Sequence, residues 1–485
     1  MSNELAFYSP DTDPTLAGTL TNVTSLVPSF KGYKGAPSGV ATQLAALAGT
    51  CQGAANLINL SGVSRFFAGT ATKLYEAGST TWTDVSRAAA YGLASDARWC
   101  FAQYGNVSLA VNKADLIQSS TAGAFADVAG SPKAACIDVC NNFVFVGNTN
   151  DGSFGDSPDR IWWSALGDYT SWTPSITTQA GSTRLTSSYG PITAVKRFGS
   201  YIIAYKAESM YMGVYQGAPD LWLFNDIPGN IGTPAHSTVV NIGTPEDPKH
   251  IFMGKNDFYV FDGSRPVPIG SPLRETVFNE VNQALINTSY ALHDALNSRV
   301  YFYYPTGGAS SPNKCVVYQY KVNKWGRDDQ QIEVAAEFVQ LALTYGGFGT
   351  LYSTYVDAPS VSYGSSLFLN STGQPAIFKT DHKLYTLNGA SVSSDLTTGD
   401  YGNNTSFTLL RRLKPQFITA PSAASMTNYY RNSLGDLIQL DTTTAMSNSR
   451  FDVLRSARWH RATLTFAGDV ELNSISADFT ESGLE

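Results

Sequence analysis

Lys73-Leu74-Tyr75 followed by Trp82-Thr83-Asp84-Val85 returns 42 residues on as Asp115-Leu116-Ile117 followed by Phe125-Ala126-Asp127-Val128. In both copies two large apolar residues lead, after a short polar spacer, to an aromatic and then x-Asp-Val. Just upstream of the first copy, Asn56-Leu57-Ile58-Asn59-Leu60 and Ser64-Arg65-Phe66-Phe67-Ala68-Gly69-Thr70 are rich in strand-forming residues and bounded by turn formers. The unit is therefore four short antiparallel strands joined by turns.

The same unit can be followed down the chain. Its central aromatic, or the equivalent large apolar residue, falls at Tyr75, Ile117, Trp162, Tyr211, Tyr259, Tyr318 and Tyr385. The first four intervals are 42, 45, 49 and 48 residues, and the last two widen to 59 and 67. A period of roughly 40–50 residues is that of a four-stranded propeller blade. A lone sheet of this size leaves apolar surface on both faces, so copies must stack radially and bury one another. The expected fold is all-β: a β-propeller of about six or seven blades over residues 51–400, in preference to a sandwich of the same strands.

The flanking regions read differently. Residues 1–50 carry Ser9-Pro10-Asp11-Thr12-Asp13-Pro14 and Val27-Pro28-Ser29-Phe30-Lys31-Gly32-Tyr33-Lys34-Gly35-Ala36-Pro37-Ser38. Pro and Gly recur too often for long elements, so an extended docking arm is expected, anchored by Phe7, Tyr8, Phe30 and Tyr33. After Ser271 as N-cap and Pro272 at the first helical position, Leu273, Val277, Val281, Ala284 and Leu285 fall on one face. They predict an inserted helix over about 272–286. Residues 331–372 suggest a β insertion or outer loop. Beyond 400 the refrain stops, and alternating segments such as Asp436-Leu437-Ile438-Gln439-Leu440 predict a separate β-sandwich-like platform domain over 401–485.

Composition narrows the function classes. The 485 residues are 43% hydrophobic and only 15% charged, with 42 Gly, 26 Tyr and 25 Phe, against roughly 25% charged in an average soluble domain. Low charge with many aromatics suits a chain that lives in a large assembly. A net charge of −7 argues against a wide phosphate-gripping surface, which needs clustered Lys and Arg. The five cysteines, at 51, 100, 136, 140 and 315, form no disulfide framework, and a reducing compartment is expected. No basic-then-apolar leader and no run of about 18 apolar residues is present, so neither a signal peptide nor a membrane span is expected.

Motifs for chemistry are sparse. The five histidines, at 236, 250, 293, 382 and 460, are scattered singly, whereas zinc needs three or four ligands at close spacing. Asn148-Thr149-Asn150-Asp151-Gly152-Ser153 departs from the calcium-loop pattern and reads as a polar blade loop. Asp84 and Asp127 repeat as turn positions rather than as an acid pair for glycoside hydrolysis. Neither Gly-x-Ser-x-Gly nor a phosphate loop occurs, so no catalytic residue, metal or cofactor is assigned. The basic clusters, Arg411-Arg412-Leu413-Lys414 and Arg455-Ser456-Ala457-Arg458-Trp459-His460-Arg461, lie in the platform region. Arg411, Arg412, Lys414, Arg455, Arg458 and Arg461 are candidate subunit-interface or DNA-facing residues.

Three stretches resemble the tail nozzle family (tubular tail protein B, or tail stabilisation protein) of short-tailed double-stranded DNA bacteriophages. They are Asp11-Thr12-Asp13-Pro14-Thr15-Leu16-Ala17-Gly18 with Val27-Pro28-Ser29-Phe30-Lys31-Gly32-Tyr33; the order of elements from Ile192-Thr193-Ala194-Val195 through Asp257-Phe258-Tyr259-Val260-Phe261-Asp262-Gly263 to the helix; and Arg458-Trp459-His460-Arg461-Ala462-Thr463-Leu464 with Ile475-Ser476-Ala477-Asp478-Phe479. The resemblance implies a non-enzymatic virion protein. It would form a homo-hexameric ring beneath portal and adaptor, with tail fibres or spikes docked outside. Viral DNA would pass through the lumen without specific binding, and the ring would assemble in the host bacterial cytoplasm. A propeller that binds or hydrolyses glycans is the alternative.

Overall fold

The computed structural model describes residues 3–4, 7–16, 18–339 and 373–484. Seven four-stranded antiparallel units are arranged about one axis. Their inner strands are Gly53–Ile58, Cys100–Tyr104, Lys133–Cys140, Ile192–Phe198, Val239–Asn241, Tyr290–Asp294 and Val334–Phe338. Each lies beside the next, and the seventh lies beside the first. The fold is a closed seven-bladed β-propeller.

The refrain marks the same place in every blade. Tyr75, Trp162, Tyr211, Tyr259, Tyr318 and Tyr385 sit on third strands, and Ile117 directly precedes the third strand of blade 2, Gln118–Ser120. Apolar residues of the inner and second strands are buried between blades, and rings meet across the seams. Phe145 of blade 3 meets Trp222 of blade 4 edge-on at 4.8 Å, and Phe258 of blade 5 lies 4.7 Å from Phe302 of blade 6. Phe66 of blade 1 packs edge-on at 5.0 Å against Phe338 of blade 7. Such pairs contribute roughly 0.5–1.5 kcal/mol each beyond their buried area.

The N-terminal segment departs from an arm laid on a surface: its short strands complete other sheets. Ser38–Ala41 is the outermost strand of blade 7, opposite Leu384–Gly389, so the ring is closed by residues from both halves of the chain. Leu26–Pro28 extends blade 6 beyond its outer strand Lys324–Arg327, and Tyr33–Gly35 passes the pairing on to Glu471–Leu484. One ten-stranded sheet thus runs from blade 6 into the platform. Backbones approach closely here: a Cβ at Gly326 would collide with the Leu26 carbonyl, and one at Gly32 with that of Leu472. The buried Tyr33 hydroxyl accepts from the Tyr8 N–H at 2.9 Å and donates to the Trp325 carbonyl at 2.9 Å.

The platform is two packed sheets. One ends in Glu471–Leu484, Ser406–Thr419 and Phe451–Ala457; the other orders Leu20–Thr24, Ser393–Thr398, Trp459–Ala467, Ala423–Arg431 and Gln439–Ala445. Its first chain-order strand from the C-terminal part therefore begins at Ser393, ahead of the expected boundary at 401, and Leu20–Thr24 comes from the expected arm.

The helix is shorter than expected, Arg274–Glu280. Ser271 does not cap it. Leu273 occupies the N-cap position, and the Asp11 carboxylate accepts from the N–H groups of Glu275 (2.6 Å) and Thr276 (2.9 Å). A side chain 264 residues away thus supplies a cap of the kind worth about 1 kcal/mol. The helix stops because Val281 turns extended and bridges Thr306, while the Asn282 N–H donates to the Pro305 carbonyl at 2.9 Å. Ala284 and Leu285 accordingly leave the helix. Of the expected insertion at 331–372, Val334–Phe338 is the inner strand of blade 7, and residues 340–372 lie outside the described residues.

Candidate functional site

Two regions carry the chain's unabsorbed chemistry: the edge of the platform and the axis of the propeller. At the platform, Gln439–Ala445 pairs among the described residues on one side only, with Ala423–Arg431, and ends its sheet. The turn before it and the strand itself expose Leu437 (89%) and Leu440 (64%), and Leu454 on the edge strand of the facing sheet is 70% exposed. A free strand edge carrying exposed apolar side chains is a template for pairing and packing with another chain.

The six candidate basic residues do not form one free patch. Arg461 grips Asp400 through both carboxylate oxygens, at 2.9 and 3.0 Å, and Arg431 binds the same carboxylate. Arg455 pairs with the buried Asp441 and lies 4.7 Å over the Tyr430 ring. Arg412 faces Asp478 at 3.5 Å and Asp452 at 3.8 Å. Arg458 lies over the Phe407 ring at 5.1 Å. Arg411 and Lys414 are exposed on Ser406–Thr419. Three of the six are thus neutralised within the chain, which ties strands together and leaves less charge for a phosphate backbone.

The refrain aspartates also act locally. Asp84 pairs with Lys73 at 2.5 Å and accepts from the Ser86 N–H, so its carboxyl is held down to about 2. Asp127 accepts from Arg87 at 2.6 Å, and Arg87 also binds Asp115, pinning the linker after blade 1 to blade 2. In the polar loop of blade 3, Asp151 accepts from the N–H groups of Ser153 and Phe154 and from the Trp162 indole. The five cysteines are free thiols and all buried.

Along the propeller axis lies a cavity of about 680 Å³. It exists because inner strands present small residues there: Gly53-Ala54-Ala55, Ala135 and Ala335-Ala336. Set among them are Arg98, Lys196, His236, Asn287 and Tyr290. Arg98 Nη1 donates to the carbonyls of Ser95 (3.0 Å) and Ala97 (2.9 Å), but its buried Nε has no hydrogen-bond partner among the described residues. Nor do the Tyr290 hydroxyl, His236 Nδ1 and Asn287 Oδ1. Arg98 lies beside the Tyr290 hydroxyl, close enough that its charge and its N–H work against the rise that burial imposes on that hydroxyl. Burial, and then the nearby Lys196 charge, hold His236 well below the ordinary histidine value and therefore neutral. No linear signal marked these residues, because they are isolated positions on strands or loops leading into different blades.

No family model matches this sequence, and no curated protein matches it. Among solved structures it is similar to YCF48 bound to a D1 peptide, at 13% identity over 75% of this chain and 97% of the other, TM-score 0.38. It is also similar to the computationally designed Ika8 protein, at 8% identity over 72% of this chain and 100% of the other, TM-score 0.35. The SapL1 lectin in complex with alpha methyl fucoside aligns at 13% identity over 58% of this chain and 97% of the lectin, TM-score 0.35. The propeller assignment rests on the chain's own strand topology. No helix among the described residues is long and apolar enough to cross a membrane.

Proposed function

We propose that the chain is a structural subunit of a virion tail nozzle, six copies forming a ring that conducts DNA and carries fibres or spikes. The observation that carries this reading is the platform's free edge, where Gln439–Ala445 ends its sheet beside exposed Leu437, Leu440 and Leu454. Such an edge is an aggregation liability in a monomer and an asset in a closed ring, whose neighbours cover it. The occupant of the edge is a second copy of this chain. The sheet shared between blade 6 and the platform supports the same reading, since contacts made at the platform fix the propeller's position in the ring. The nozzle-like stretches of sequence supply the number of copies and the setting.

Light scattering and negative-stain imaging of the purified full-length chain test this. Six-fold rings are expected, and Leu437→Asp with Leu440→Asp should give monomers that unfold at the wild-type temperature, because both residues are exposed. A wild-type chain that stays monomeric and binds or cleaves host glycan would overturn the reading in favour of the glycan-directed alternative.

A further inference from the structure

The axial cavity is unusual in what it leaves unmatched. Buried polar groups are ordinarily hydrogen-bonded, yet four buried polar atoms on its wall lack partners: Arg98 Nε, Tyr290 OH, His236 Nδ1 and Asn287 Oδ1. They come from residues of blades 2, 5 and 6 or the loops leading into them, so they face the axis from different directions. A chain of contacts ties them into one arc. Arg98 adjoins Tyr290; the neighbouring Ser289 carbonyl accepts from Ser237 at 2.6 Å; and Ser237 adjoins His236, which feels the Lys196 charge. Lys196 makes no hydrogen bond or ion pair with any described residue.

The charges around this arc are unequal. Lys113 is already engaged, with Asn148 at 2.6 Å and Asp156 at 3.2 Å. His293 contacts the Tyr320 hydroxyl at 3.2 Å, and burial keeps it neutral. Of the two carboxylates on the wall, Asp96 is exposed, and partial burial pushes the Glu337 carboxyl upward. Asp138 lies within electrostatic reach of Lys196 and offsets part of its charge, but makes no direct ion pair with it; its oxygens accept from the N–H groups of Val139 and Arg197, both at 2.7 Å. In a chain of net charge −7, the half-buried cations Arg98, held only by backbone carbonyls, and Lys196 therefore share a chamber of about 680 Å³ with neutral polar groups. Ordered water would satisfy the neutral groups, but two cations in one cavity with no direct carboxylate contact among the described residues favour an anion.

We infer that the axial cavity binds a small solute through an oxyanion group, phosphate or carboxylate, held by Lys196, Arg98, Tyr290 and His236. Asn287 meets the remainder of the solute with its amide. The site is independent of the ring proposed above, since it lies on the propeller axis within one chain.

Isothermal titration of the full-length chain with inorganic phosphate and, separately, with succinate tests the assignment. Saturable binding of at least one probe is expected. Lys196→Met should weaken it about tenfold or more, the usual size for loss of a charge-assisted hydrogen bond. Tyr290→Phe should weaken it less, while unfolding temperature stays near wild type. Tighter binding of phosphate assigns a phosphorylated solute, and the reverse order assigns a carboxylate. If Lys196→Met fails to fold, Tyr290→Phe still reads the site. No saturable binding of either probe at about 10 mM, far weaker than a millimolar site, overturns the inference. So does undiminished binding in both variants.

Discussion

The propeller and the platform solve the same problem, covering β-sheets, in opposite ways. In the propeller each sheet is covered by its neighbours, and the ring turns the short inner edges towards the axis, where they are protected. Its seams are aromatic and dry: Phe145, Phe252, Phe258 and Phe302 are fully buried. The platform is an open sandwich built from strands as long as Ser406–Thr419, tied by ion pairs such as Arg461–Asp400–Arg431 and Arg455–Asp441. On the reading proposed above, the internal stability lies in one region and the contacts with other copies in the other.

The sharpest way to break the contrast is to open a seam. Phe258 touches Phe302, Trp325 and Phe278 across the junction of blades 5 and 6. Phe258→Ala should cost about 4 kcal/mol, read from the denaturant midpoint of the full chain. A loss below about 1 kcal/mol, the range of surface changes, would show that the seam is not a packed core. In the platform the corresponding change is electrostatic. Asp400→Ala leaves Arg431 and Arg461 half-buried without their shared carboxylate, and should cost about 3 kcal/mol. Because the arginines retain some solvent contact, added salt should recover part of that loss.

A smaller effect separates the regions by pH. In the propeller, His250 is buried between the Tyr205 hydroxyl (2.7 Å) and the Arg197 carbonyl (2.9 Å), and burial pulls it down to about 4. Its folded value lies below its unfolded one, so the unfolded chain binds the extra proton. The stability it contributes is present above about pH 6.5 and is lost as pH falls towards 4. Asp328, raised to about 7 by burial, acts in the opposite sense: its contribution is lost as pH rises from about 4 to 7. The informative quantity is therefore the difference between wild type and His250→Asn. Unfolding free energies measured at pH 6.5 and 4.5 should show the variant losing about 2 kcal/mol less than wild type over that range. Equal losses would mean that His250 is not held neutral.

Much of the propeller is legible in linear order because each blade is local. Four strands, three turns and a repeating aromatic leave a period that survives even where Ile117 replaces the aromatic. The helix shows the limit of that locality. Leu273 and Val277 mark its buried face correctly, but its cap is Asp11 and its end is set by Pro305 and Thr306. None of these three partners is signalled by residues 272–286. The basic residues of the platform illustrate the same limit. Arg455 and Arg461 read as free charge in sequence, because the carboxylates that neutralise them, Asp441 and Asp400, lie on other segments.

By itself, the sequence determined the repeating unit, the β class and the place of the third strand in every blade. These follow from side-chain alternation and turn chemistry, which act over a few residues. Only the tertiary structure decided that seven blades close with Ser38–Ala41, that one sheet joins blade 6 to the platform, and that Arg98, Lys196, His236, Asn287 and Tyr290 share an axial chamber. Ring closure and convergence on an axis are set by packing between segments far apart in the chain, and short-range pattern carries no record of which distant segments will meet.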